Sequence, residues 1–173
     1  AEVIEKLGDT SIKKVAVVGA GYIGVELAEA FQRNGREVTL IDCADTCLSA
    51  YYDDMFCKRM EKQLSDHGIH LAFEEKVERL EGNEKVEKVV TDKHTYDADM
   101  VIFCVGFRPN TKLGNSQLKQ FHNNGAYLTD LMQQTSRPDV YAVGDCATVY
   151  NNAIEDTDYI ALATNAVRSG IIA

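Results

Sequence analysis

Three glycines, one tyrosine and one aspartate carry the chemistry that is plainest in this sequence. Gly19-Ala20-Gly21-Tyr22-Ile23-Gly24 follows four β-prone apolar residues, Val15-Ala16-Val17-Val18, and a helical pattern begins at once. Asp42 closes the next apolar run, 18 residues beyond Gly24. Strand, Gly-x-Gly-x-x-Gly turn, helix, second strand and acid, in that order, form the fingerprint of a dinucleotide site. Gly19 permits the tight turn, Gly21 lets the main chain approach a pyrophosphate, and Gly24 lets the helix sit close to the strand. The helix N-terminus then offers free N–H groups and a positive dipole end to the phosphates. The glycine letters alone also fit a tight strand-to-helix turn or a methyltransferase loop; the flanking strand, helix and acid favour the nucleotide.

Asp42 selects the nucleotide. A carboxylate there accepts hydrogen bonds from a free ribose diol and repels a 2′-phosphate. Cys43-Ala44-Asp45-Thr46 supplies no arginine to welcome such a phosphate. NAD(H) is therefore expected over NADP(H), the bland alternative being that Asp42 only caps a strand end. Tyr22 stands inside the turn, where a small residue would suffice; its ring can close over a nicotinamide or simply pack.

The elements that must position these residues alternate along the chain. After a polar stretch, 1–13, a buried parallel strand is expected at Val15–Val18, since both faces of such a strand are covered and no alternation is needed. Ile23, Leu27, Ala28, Ala30 and Phe31 give the apolar stripe of a first helix, with Gly35 just past its end. Val38–Asp42 reads as the second strand. A second helix is expected over Asp53–Asp66, with Met55, Met60 and Leu64 among its apolar positions and Gly68 after it. Ile69–Phe73 reads as a third strand. Lys76–Leu80, Val86–Thr91 and Thr95-Tyr96, with turns at Gly82-Asn83 and Asp92-Lys93, read as an antiparallel meander on one face of the sheet. Met100–Val105 is again a continuous buried strand, ending at Gly106. Beyond residues 108–110 the organisation changes. Strands are expected at Tyr127–Thr129 and Val140–Val143, the latter running into Gly144-Asp145, with a last helix near Tyr159–Ile172. The fold class is α/β: a Rossmann-like parallel sheet with helices and a β-meander over residues 1–110, and a second portion over 111–173.

Composition narrows the function. Of 173 residues, 27 are Asp or Glu and 18 Lys or Arg, a net charge of −9. With no basic stripe, nucleic acid is not an expected partner, and a nucleotide must be held by local groups rather than by the overall field. No apolar run reaches the roughly 20 residues of a membrane helix, and the first residues lack the pattern of a signal peptide. The five cysteines (43, 47, 57, 104 and 146) form no Cys-x-x-Cys, and their odd number argues against a disulfide framework. They suit a reducing cytoplasm. No metal is expected, since Cys and His never cluster at ligand spacing; His67 and His70, separated by Gly68, read as surface or helix-end residues.

Gly19–Glu26 with Leu27-Ala28-Glu29-Ala30-Phe31 resembles the NAD-binding domain of the flavin-dependent pyridine nucleotide-disulfide oxidoreductases. Val101–Asn110 resembles the second glycine segment of that family, and Thr135–Asp145 its distal flavin-binding motif, all in the family's order. The branch most similar holds the NADH oxidases, NADH peroxidases and coenzyme A-disulfide reductases, with a water-forming oxidase the first reading. The resemblance implies that Tyr22 is an aromatic gate that moves when nicotinamide stacks on flavin. It implies that Ile23 and Gly106 line the NADH site, that Asp42 holds the adenine ribose, and that Tyr51 lies against the adenosine end. It places Asp145 at the ribityl-phosphate region of FAD, and Leu162, Ala163 and Thr164 near the isoalloxazine, where a helix dipole stabilises negative charge. Glu26 is implied near the flavin, or is a dipole-favoured first-turn acid. None of the five cysteines occupies the family's redox position, and the family's own N-terminal flavin motif does not appear. The chain therefore reads as a complete NADH domain followed by the second half of a split FAD domain, a segment expected to have little or no turnover alone: hydride would pass from NADH to flavin and electrons to oxygen, a peroxide or a disulfide, in a homo-oligomeric parent. A non-catalytic nucleotide-binding module is the alternative of another class.

Overall fold

Continuous apolar runs that must be covered on both faces dictate the centre of the fold. The computed structural model describes residues 2–114 and 116–173, which divide into two units, Ala1–Gly106 and Phe107–Ala173. The first opens with a short helix, α1 (Glu2–Leu7), and then alternates: β1 (Lys14–Val18), α2 (Tyr22–Arg33), β2 (Glu37–Ile41), α3 (Asp54–Asp66) and β3 (His70–Ala72). The meander follows as β4 (Val77–Glu81), β5 (Lys88–Thr91) and β6 (Thr95–Asp97), and the chain returns as β7 (Met100–Phe103). The main sheet is wholly parallel, in the order β3-β2-β1-β7, and the meander forms a separate antiparallel sheet.

β1 is central, with Val15 paired to Val38 on one side and Met100 on the other. Its alternate side chains enter two cores. Val15 and Val17 pack with Ala28 and Phe31 of α2 and with Leu40 and Leu64. Ala16 packs on the opposite face with Ile41, Ala72, and Val89 and Ala98 of the meander region. The meander thus lies on one face of the parallel sheet, and the two covered faces account for the absence of alternation in β1.

The helices turn slightly different faces inward than their apolar letters suggest. In α2 the buried positions are Gly24, Val25, Ala28 and Phe31, whereas Ile23 is 57% exposed. Close approach of Gly24 to the strand sets the rotation of the helix and leaves Ile23 at its open edge. In α3 Cys57 and Leu64 are buried and Met55 is exposed. Glu26 lies in the second turn of α2, exposed, rather than in the first. Gly35 and Gly68 end their helices with φ of +76° and +84°, where glycine carries no penalty.

The second unit has little regular structure. Strands expected at Tyr127–Thr129 and Val140–Val143 are instead isolated bridges, Gln120 to Tyr127, Tyr127 to Ala147 and Gln134 to Tyr141, since no extended neighbour continues the pairing in either place. A small core of Tyr127, Ala142 and Ala147 is braced by the Tyr127 hydroxyl, which accepts the Gly114 N–H and donates to the Thr111 carbonyl, both at 2.7 Å. A hairpin, β8 (Val149–Asn151) and β9 (Asp156–Asp158), precedes α4 (Ala163–Ile172). The hairpin takes up the chain before residue 159, and α4 accordingly begins four residues later than its pattern suggests. No helix among the described residues is long and apolar enough to cross a membrane.

Candidate functional site

Strands β1, β2 and β7 end together, and the residues singled out by type and spacing in the first unit gather at that edge. The Cys104 N–H donates to the Val18 carbonyl at 2.6 Å and the Gly19 N–H to the Ile41 carbonyl at 2.8 Å, which fixes the glycine turn between its neighbours. The three glycines differ in what surrounds them. A Cβ at Gly19 would stand 2.4 Å from the Cys104 carbonyl oxygen, and one at Gly24 1.7 Å from the Gly19 carbonyl oxygen. A Cβ at Gly21 would meet only the Tyr51 ring, at 3.9 Å. The first and third glycines are therefore pressed against the protein's own main chain, the first with a left-handed φ of +103° as well, while the second keeps open a cradle that a pyrophosphate fits. Gly21 is also the N-cap residue of α2, which has neither a side-chain cap nor an acid in its first turn. The electropositive helix end is left for an anion.

Asp42 follows β2 and is half-buried. Its carboxylate accepts the Ala20 N–H at 2.5 Å and the Ala44 N–H at 2.8 Å, so the acid is bonded to the glycine turn itself. The Leu48 N–H donates to the Ala20 carbonyl, tying the loop after β2 to the same turn. Tyr22 tilts onto Tyr51 with ring centroids 4.3 Å apart and meets Tyr52 edge-on at 6.0 Å. Its hydroxyl donates to that of Tyr52 at 3.0 Å, which raises the Tyr22 phenol above its ordinary value. Gly106 follows β7 with φ +95° and open space where a side chain would stand. A cleft of about 730 Å³ runs between α2 and α3 with Tyr22 and Tyr52 at its rim, but neither the glycines nor Asp42 line it.

The loop bearing Asp42 is anchored from below by a residue that no motif marks. The Glu75 N–H donates to the Asp42 carbonyl at 3.0 Å, and the Glu75 side chain, 6% exposed as a residue, turns into the meander. It accepts from Thr91 at 2.6 Å and Tyr96 at 2.8 Å and meets His94 Nδ1 at 2.9 Å. Burial pushes this carboxyl up, but its three partners outweigh burial and hold it below its ordinary value. Its stabilising contribution is therefore present at neutral pH and above the ordinary glutamate value of roughly 4.3, and is lost as pH falls through the lowered folded value. Glu75→Gln should cost about 1–3 kcal/mol at pH 7 and flatten the acid limb of a stability–pH curve. An acid limb identical to that of the parent would contradict the assignment.

In the second unit Asp145 is exposed on a 3-10 turn, Gly144–Cys146, that packs on α4. Gly144 has φ +72°, and its absent Cβ would lie 3.5 Å from that of Ala166. The Tyr159 hydroxyl donates to the Asp145 carbonyl at 2.8 Å. Burial raises the Tyr159 phenol, and the Asp145 charge raises it further. Leu162, Ala163 and Thr164 are exposed at the start of α4, whose first turn carries no acid. An exposed carboxylate can accept from the ribityl hydroxyls of a flavin, and the N–H groups of an acid-free helix N-terminus suit its electron-rich ring. Among the described residues no group of three or more His, Cys, Asp or Glu is placed to hold a metal. All five cysteines are free, and burial pushes the Cys47 thiol up to about 11.

The family resemblance marks Tyr51, but neither it nor the sequence pattern marks Tyr52 or Glu75. The doubled tyrosine in a polar loop was the available signal for the first; an acid inside a charge-rich meander gave none for the second.

A parallel sheet with a glycine turn, an uncapped helix and an acid at its carboxyl edge defines a Rossmann-like dinucleotide-type domain. The model of the pyridine nucleotide-disulphide oxidoreductase family matches residues 2–170, and the chain belongs to that family. An NADH oxidase of Streptococcus pyogenes is 62% identical over 173 residues, covering 100% of this chain and 38% of that protein. A water-forming NADH oxidase from Lactobacillus brevis, solved bound to NADH, superposes with a TM-score of 0.92 at 42% identity, over 99% of this chain and 37% of that one. Its engineered water-forming NADPH oxidase variant, bound to NADPH, gives 0.89 at 40% identity over the same shares. The chain thus spans about 38% of the length of such relatives.

Proposed function

We propose that this chain supplies the NADH-binding domain and part of the FAD-binding domain of a flavin-dependent NADH oxidase that passes hydride from NADH to FAD and electrons on to oxygen. The observation that carries this reading is the open cradle at Gly21 beside a carboxylate already bonded to the glycine turn. The names of the similar oxidases support oxygen as acceptor. Asp42, oriented by the Ala20 and Ala44 N–H groups, offers its remaining lone pairs to the adenine ribose diol. Gly21 and the N-terminus of α2 take the pyrophosphate, Tyr51 lies against the adenosine end, and Ile23 and Gly106 line the nicotinamide end. Tyr22 is the gate. Asp145 and the Leu162–Thr164 turn hold the flavin, with the α4 dipole favouring negative charge on its ring. FAD, when bound, supplies the ring that accepts hydride and returns electrons to oxygen. The working protein is placed in the cytoplasm, in keeping with five free cysteines, as a homo-oligomer.

The engineered NADPH-using relative supports Asp42 as the discriminating residue. Its substitutions include a glycine and an aspartate eighteen positions apart, the spacing of Gly24 and Asp42, and an arginine placed directly after the aspartate. Asp42→Ala in the full-length protein should weaken NADH by about 1.5–3 kcal/mol and narrow the preference over NADPH. Unchanged NADH affinity, measured by calorimetry, would remove the ribose role.

A further inference from the structure

The loop after β2 carries two adjacent tyrosines, and the structure gives them different work. Tyr51 lies beside the glycine turn, its ring the only group within 4 Å of a Cβ built on Gly21. Tyr52 stands further along, and its main chain is fixed. Its N–H donates to the carbonyl of Leu48, a buried residue, and its own carbonyl accepts from the thiol of buried Cys57. Its ring is flanked by Phe56 at 6.5 Å. From this anchored position the Tyr52 hydroxyl receives the hydrogen bond of the Tyr22 hydroxyl.

We propose that Tyr52 is a positioning residue: its hydroxyl holds Tyr22 turned toward the β2 flank of the glycine turn, clear of the β7 flank where Gly106 stands. This rests on the reading of Tyr22 as the gate and of Gly106 as part of the nicotinamide end. The topology carries the direction. β1 lies between β2 and β7, and Tyr22 is the first residue of the helix that leaves the end of β1. Its side chain can lean to either flank. Tyr51 and Tyr52 both belong to the β2 side, so a Tyr22 ring resting on one and bonded to the other leaves the β7 side free. A gate that must move in each turnover needs a weak latch. One neutral hydrogen bond at a half-exposed site, with an aromatic contact, has the right scale, because water replaces the lost partner when Tyr22 swings away. The raised Tyr22 phenol agrees with its being the donor.

Losing the latch lowers the fraction of molecules open to nicotinamide, and apparent affinity falls with that fraction. The test uses the full-length, flavin-loaded protein, with equilibrium binding of NAD+ followed by calorimetry beside steady-state kinetics with NADH. Tyr52→Phe keeps the ring and removes the hydroxyl. It should raise the Kd for NAD+ and the KM for NADH together, by about two- to fivefold, with little change in kcat. Tyr22→Phe should raise the Kd for NAD+ by a similar factor, and in the double variant that Kd should be no higher than in either single one, because both lose one shared bond. Unchanged Kd and KM in Tyr52→Phe, or additive effects in the double variant, would overturn the proposal. Tyr22→Ala separates the two readings. If it alters NADH use while Tyr52→Phe does not, the latch alone fails; if it alters neither binding nor turnover, the gate itself fails and the latch with it.

Discussion

Gly21→Val in the full-length protein should abolish measurable NADH binding while leaving the melting temperature near that of the parent. The two halves of this expectation come from different facts. Gly21 has φ −76° and ψ −170°, an extended backbone that valine adopts readily. A Cβ there touches nothing but the edge of the Tyr51 ring at 3.9 Å, so folding has little reason to suffer. The branched side chain would instead fill the space through which a pyrophosphate reaches the N-terminus of α2. Losing those N–H contacts and the dipole should cost at least roughly 100-fold in affinity. Calorimetry with NADH and a thermal melt, done on one preparation, check both halves. Retained binding would show that the phosphates do not approach there.

Gly19→Ala should do the reverse, failing in folding before binding is tested. With φ +103° the backbone is in a region that L side chains rarely adopt, and the added carbon would stand 2.4 Å from the Cys104 carbonyl oxygen and 2.7 Å from its carbon. The obstacle is the main chain at the end of β7, which is bonded to Val18 and cannot yield as a flexible side chain would. Backbone strain and overpacking together place the loss at about 2–5 kcal/mol, read as a lower denaturant midpoint or as insoluble protein. A midpoint equal to the parent's would mean the turn is looser than the β1–β7 pairing implies. Two glycines two residues apart in one motif are thus expected to fail by different mechanisms.

Much of this site is legible in the sequence. The Gly-x-Gly-x-x-Gly turn, the strand before it and Asp42 at the end of the next strand specify one another, because parallel pairing of β1 with β2 brings Gly19 and Asp42 to the same sheet edge. The meander was legible as short, charge-rich strands separated by turn residues at Gly82-Asn83 and Asp92-Lys93. What sequence hid was contact. Asp42 bonded to the Ala20 N–H, Tyr22 resting on Tyr51, and Glu75 gathering Thr91, Tyr96 and His94 arise from tertiary placement that no spacing encodes. Ile23 and Met55 were misplaced inward because apolar type does not fix helix rotation, whereas the approach of Gly24 to Gly19 does. The strands expected at 127–129 and 140–143 have the right letters, but only isolated bridges form there. β propensity is realised only where a neighbour accepts it.

The central claim is that the cradle at Gly21 and the carboxylate of Asp42 together grip NADH in a flavoprotein. An anaerobic titration of the full-length, flavin-loaded protein with NADH and with NADPH, following the flavin absorbance, tests it most directly. The account predicts stoichiometric bleaching of the flavin by NADH and a much weaker response to NADPH, with the NADH response shifted to higher concentration in Asp42→Ala. A flavin that stays oxidised with NADH, or that responds equally to both nucleotides, would contradict it.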